Sequence, residues 1–313
     1  MENIIFKKIF IYLFITFTFS HYAFGSSTSG ASLLKQYVGG RPSAMGEAYA
    51  SVSDDLYGLY YNPAGMKNLK REFTCMYFQQ SDSNISYGLI GFGQNINNIG
   101  VFAGSLLFYD AGKIEWQNTS GNISTLSVQR DYLFTLGYSR ETFKNLNLGI
   151  NTKYYSSTMI EKYNATAYAL DFGLLYQTNI KGLSVGAVLQ NKGTPLKYIS
   201  ESDPMPTTLR SGIAYKLKLP KNSDLILAID ILKPNDSDIK KNIGIEYFLG
   251  NTIALRGGYK FNYDLENYSL GFGLKLSFFQ IDYGIISRKN FDSVHILSFS
   301  LKDLSFKYNK NPQ

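Results

Sequence analysis

The chain has 313 residues, 44% of them hydrophobic, and a mean hydropathy of -0.13; it contains no series of ~20-residue apolar runs, which excludes a bundle of membrane-crossing helices. Its net charge of +7, from 31 basic and 24 acidic residues, is scattered with no basic run longer than two, which argues against a nucleic-acid partner. The chain is rich in Tyr (25), Phe (22) and Gly (28) but has one Trp and one Cys, a composition that suits strands, interfacial aromatics and a crowded sheet rather than a disulfide framework.

In chain order, residues 1–25 read as a cleavable export signal. Lys7 and Lys8 precede an apolar stretch from Ile9 to Phe19, and Ala23-Phe24-Gly25 places small residues for cleavage before Ser26. A retained membrane anchor is the alternative. Residues 26–71 are rich in Ala, Gly, Ser and Met and lack strict alternation, with a turn signal at Asn62-Pro63-Ala64-Gly65. This stretch is expected to form a compact hatch without strands.

From residue 72 to 303 the period becomes two. Tyr268, Leu270, Phe272, Leu274 and Leu276 alternate with Ser269, Gly271, Gly273, Lys275 and Ser277, which puts an apolar row on one face and a polar or small row on the other. Similar segments recur, including 73–80, 84–95, 99–109, 146–154, 168–176, 209–217 and 279–285. They amount to roughly fourteen strands of bilayer-spanning length. Connections such as Gly250-Asn251 are short, and most of the intervening ones, notably 110–127, 158–164, 194–206 and 234–240, are longer. Short turns at one end and long loops at the other are the rhythm of a transmembrane barrel; a soluble β-sandwich would also alternate. The expectation is an all-β, closed antiparallel barrel in the outer membrane, with both termini on the short-turn side. Its lumen is too wide for wall side chains to fill, so the hatch plugs it. Residues 304–313 form a basic tail.

Residues 39–66 carry a more specific pattern: Arg41, Met45-Gly46, Ala48, Asp54-Asp55, Tyr60-Tyr61 and Asn62-Pro63-Ala64-Gly65. This resembles the N-terminal signature of the PorV/PorQ family, a branch of the wider FadL-like barrels. The resemblance implies fourteen strands and an N-terminal hatch. It further implies either a role in type IX secretion, with secreted cargo or attachment-complex subunits as partners, or a channel for hydrophobic molecules. The end of the chain departs from the usual barrel pattern, because a basic tail follows the last strand where an aromatic terminus is typical.

Within the hatch motif, Asn62, Pro63 and Ala64 match the triplet of FadL-like hatches, where the resemblance implies a plug lining the ligand path; a loop that merely holds the plug is the plainer reading. Asp54 and Asp55 could cap a turn or form an ion pair between hatch and wall, with Arg41 as candidate partner. A carboxylate pair alone is a weak signal for acid–base chemistry. Once the signal is removed, His295 is the sole histidine, so a His-based triad or zinc site is not expected, nor is a cofactor. The reading is non-enzymatic, with a Ser/Asp barrel lipase as the enzymatic alternative. Segments 84–95 and 99–109 are apolar on both faces, and Ile90, Phe92, Phe102, Leu106 and Phe108 are the candidate apolar lining of the lumen. Packing of the wall against the hatch explains the same pattern. Trp116 in the 110–127 loop is a candidate for contact with a partner or with outer-membrane lipid.

Overall fold

The computed structural model describes residues 29–79, 85–117, 119 and 121–303. The export-signal and C-terminal-tail readings fall outside these residues. The wall consists of β1 (Arg71–Gln79), β2 (Ser86–Ile96), β3 (Gly100–Asp110), β6 (Gln129–Phe143), β7 (Leu146–Met159), β8 (Tyr163–Gln177), β9 (Leu183–Gly193), β12 (Thr208–Leu219), β13 (Ser223–Pro234), β14 (Lys240–Leu249), β15 (Ile253–Phe261), β16 (Glu266–Leu276), β17 (Phe279–Arg288) and β18 (Phe291–Lys302). These fourteen strands form one closed antiparallel barrel, and Thr74 of β1 lies opposite Ser300 of β18 where the ring shuts. Closure pairs every strand on both sides, so no edge is presented to lipid. Two hairpins stand outside the ring: β4 (Lys113–Gln117) with β5 (Ile123–Ser127), and β10 (Leu196–Lys197) with β11 (Ser202–Asp203).

Local chemistry sets the turns. Lys221-Asn222 and Gly250-Asn251 place two successive residues at positive φ, the conformation of tight hairpin turns whose twist matches that of the strands. The loop rhythm is less regular than the sequence suggests. Residues 158–164 prove to be a three-residue turn at 160–162, because β7 and β8 pair out to Met159 and Tyr163. Length at the long-loop end is concentrated in 111–128 and 194–207.

The outward face is apolar all round. Ile213, Leu227, Ile229, Leu255, Leu270 and Leu297 are among many large side chains left exposed, an exterior that lipid satisfies and water does not. Much of the inward face is polar yet buried: Asn147, Asn151, Asp230 and Asn242 have no exposed surface. The filling is the hatch. It has four short helical turns, α1 (Ser32–Lys35), α2 (Gly40–Ala44), α3 (Gly58–Tyr61) and α4 (Pro63–Asn68). Its first described residues lie at the long-loop end, where the Gly30 amide donates to the Pro204 carbonyl (3.0 Å); its last lie at the other end, where the Asn95 amide donates to the Lys70 carbonyl (2.7 Å). Between them the hatch backbone presses directly on wall glycines. A side chain at Gly149 would overlap Pro63 and Ala64, one at Gly186 would overlap Ala50, and one at Gly258 would overlap Met45 and Gly46. The wall glycines therefore serve close packing of two backbones.

Candidate functional site: the plugged lumen

On the β14–β18 side the hatch is held by charge. Arg41, in α2, makes a two-pronged contact with Glu246 of β14, Nε to Oε2 at 2.8 Å and Nη2 to Oε1 at 2.9 Å. Its Nη1 donates to Asp55 at 3.1 Å and also to Asp54. Arg256 of β15 donates to the same Glu246 at 2.6 Å and pairs with Asp282 of β17 at 2.8 Å. Tyr49 donates its hydroxyl to Asp55 at 2.8 Å. Arg41, Asp55, Glu246, Arg256 and Asp282 are all at least nine-tenths buried. Each charge has an opposite partner, the condition under which ions persist away from water.

Asn62 and Pro63 fix the last hatch turn. The Ala64 amide donates to Asn62 Oδ1 (3.1 Å), so the Asn62 side chain caps α4 with Pro63 at its first position. The Asn62 amide then donates to the carbonyls of Ala50 (2.7 Å) and Leu174 (3.1 Å), joining two hatch segments to β8. At the long-loop mouth, Asp236 accepts from the Ser29 amide (3.3 Å), the Ser29 hydroxyl and Lys35 Nζ (2.6 Å). Partial burial works against the charged Asp236 carboxylate, but these donors outweigh it and hold its pKa below the ordinary aspartate range.

On the β2–β3–β6 side the hold is mainly apolar, with one hydrogen bond from the Ser139 hydroxyl of β6 to the Ala64 carbonyl (3.2 Å). Tyr87, Leu89, Val101, Ala103, Leu107 and Leu133 point inward and are buried. They meet Val38, Leu56, Leu59, Met66 and Leu69 of the hatch in two hydrophobic clusters stacked along the barrel axis. Where the clusters adjoin, Val38, Leu56, Leu59, Leu89, Ser105, Leu107, Leu133 and Thr135 surround a gap of about 10 Å³. Together they form an apolar seam, closed in this conformation.

The seam corrects the candidate lining. Ile90, Phe92 and Phe102 are 45%, 47% and 45% exposed; with Leu106 and Phe108, on the same face of β3 as Phe102, they belong to the lipid-facing belt. Period-two alternation separates two faces without saying which is inside, and here both are apolar because the hatch covers the inner one. The lining residues are their sequence neighbours. Arg41, Asp54 and Asp55 are brought together, as are Asn62, Pro63 and Ala64. Glu246, Arg256 and Asp282 complete the ionic clamp, and their only sequence signal was a charge on the polar face of a strand. Trp116 continues the outer face: β4 and β5 extend the β3–β6 ladder in unbroken register, which sets Ile114, Trp116 and Leu126 above an outward Asp110–Arg130 pair.

No protein-family model and no curated protein matches the chain. Solved structures do. The deltaS2S3 mutant of the monoaromatic hydrocarbon channel TodX superposes with a TM-score of 0.60 at 13% identity, covering 85% of this chain and 99% of that one. The Pseudomonas putida toluene transporter TodX gives 0.56 at 12% identity, covering 88% and 97%. The monoaromatic hydrocarbon channel CymD gives 0.55 at 12% identity, covering 85% and 97%. At such identity the likeness establishes the fold alone: this closed barrel of fourteen strands shares the architecture of those channels.

Proposed function

We propose that this protein, freed of residues 1–25, sits in the outer membrane as a non-enzymatic channel that passes small molecules with an apolar body along the seam between hatch and wall. The apolar seam carries this reading. It runs along the inside of β2, β3 and β6, meets no charged side chain in its narrowest part, and is held mainly by dispersion and exclusion of water. A modest shift of the hatch away from these strands would open it while the ionic clamp holds the opposite side. The hydrocarbon channels that share the fold support the same class of solute.

The test is initial uptake of radiolabelled toluene by cells whose own hydrophobic channels are deleted and which express this protein. Uptake above the empty-vector control is expected. Ser105→Val, which fills the gap, is expected to lower the gain while the barrel keeps its heat-modifiable gel mobility. Wild-type uptake equal to the control would sink the reading.

A second reading, a docking platform for type IX secretion, rests on the 39–66 signature and on the exposed outer face of the β4–β5 hairpin. Retention of surface proteins in the periplasm after deletion of the gene would favour it.

A further inference from the structure

A pocket of about 290 Å³ lies at the long-loop end, on the other side of the hatch from the seam. Its walls include Lys35, Glu47, Tyr60, Arg210, Lys240 and Tyr263. The carboxylates facing it are engaged. Glu47 accepts from Lys260 and from the Tyr61 hydroxyl, and Asp236 accepts from Ser29 and Lys35. The cations are not balanced in the same way. Lys153 pairs with Asp171 at 2.7 Å, but Lys240 has no carboxylate partner among the described residues and stands 4.5 Å from the centre of the Tyr263 ring. Arg210 is 6% exposed. It uses Nη1 on the Glu47 carbonyl (2.6 Å) and on Asp230 (3.4 Å), and its Nε is buried with no partner.

The cation left for a solute is therefore Lys240; Arg210 is paired with Asp230, and its Nε is enclosed. An ammonium without a carboxylate partner is satisfied best by an oxyanion. The rest of the wall suits a flat, compact body: the Tyr60 and Tyr263 rings with Leu34, Leu232 and Pro206. The volume is at the small end for organic ligands and leaves no room for a long chain.

We propose that this pocket binds compact, ring-bearing organic oxyanions, carboxylates or phosphates, at the entrance to the barrel. The proposal rests on the passage reading for its biological sense, but binding is measured without passage, so the two fail separately. Full-length protein in detergent is titrated calorimetrically with benzoate, and with benzyl alcohol as the neutral counterpart. Benzoate is expected to bind one site, about tenfold or more tighter than benzyl alcohol, with affinity falling as salt rises. Lys240→Gln, at a strand end where folding is little affected, is expected to weaken benzoate about tenfold and leave benzyl alcohol unchanged; Lys275→Gln, at the opposite end of the barrel, is expected to change neither. Competition by inorganic phosphate would mark a site that reads the oxyanion alone, and its absence would mark one that also requires the ring. Equal affinity for benzoate and benzyl alcohol, or an unchanged benzoate affinity in Lys240→Gln, overturns the proposal.

Discussion

The two sides of the lumen hold one hatch by different physics. Toward β14–β18, Arg41 is gripped by Glu246 and Asp55 with distances near 3 Å and little exposure. Toward β2–β3–β6, Leu56 and Leu59 cluster with Val101 and Ala103, and Val38 clusters with Leu107 and Leu133, through contacts that have no preferred direction. Charge pairs specify one position and cost much when broken. Apolar contacts tolerate sliding and re-form with other apolar partners, including a solute. The side held by charge sets where the hatch sits, and the side held by dispersion decides where it opens.

The sharpest way to break this comparison is Glu246→Ala, which strands Arg41 and Arg256 without their shared carboxylate. A loss of about 3–5 kcal/mol is expected, read as a lower melting temperature and as protease access to the hatch. Leu107→Ala tests the other side. It removes apolar contact and enlarges a gap already present, at a cost of about 2–3 kcal/mol, and toluene uptake is expected to rise while the hatch stays protected. If Leu107→Ala released the hatch as fully as Glu246→Ala, the distinction between the two sides would fall.

The smallest effect concerns the strap at the mouth. The folded pKa of Asp236 is depressed, so its contribution is present above the unfolded aspartate value of about 4 and is lost as pH falls below that through the folded value. Lys35 is well exposed, which limits the effect to under about 1 kcal/mol. The protection of the Gly30 and Ala31 amides relative to their intrinsic exchange is expected to fall below about pH 4, and Asp236→Asn is expected to show the lower protection at every pH.

The barrel was legible because alternation survives wherever lipid faces one side and polar groups the other, as at Tyr268–Ser277. It failed to orient β2 and β3, where Leu89 and Leu107 are as apolar as Ile90 and Leu106, and nothing local says that a hatch 40 residues upstream covers one row. The close pairing of Met159 with Tyr163 was hidden for a different reason. Ile160 takes a left-handed turn conformation that a β-branched residue rarely adopts, so the sequence there reads as loop. Arg41 and the Asp54–Asp55 pair stood out, but Glu246, which grips Arg41 from the wall, lies 205 residues further on and meets it only in the tertiary structure.

The course of the hatch is matched to the wall around it. Its described start is tied to the 194–207 and 235–239 loops at one mouth, and its end leads into β1 at the other. The ring shuts between β1 and β18, where Thr74 bonds Ser300 across 226 residues of chain. The wall glycines let the hatch backbone lie directly against the wall backbone along this course, so plug and wall match only as a pair.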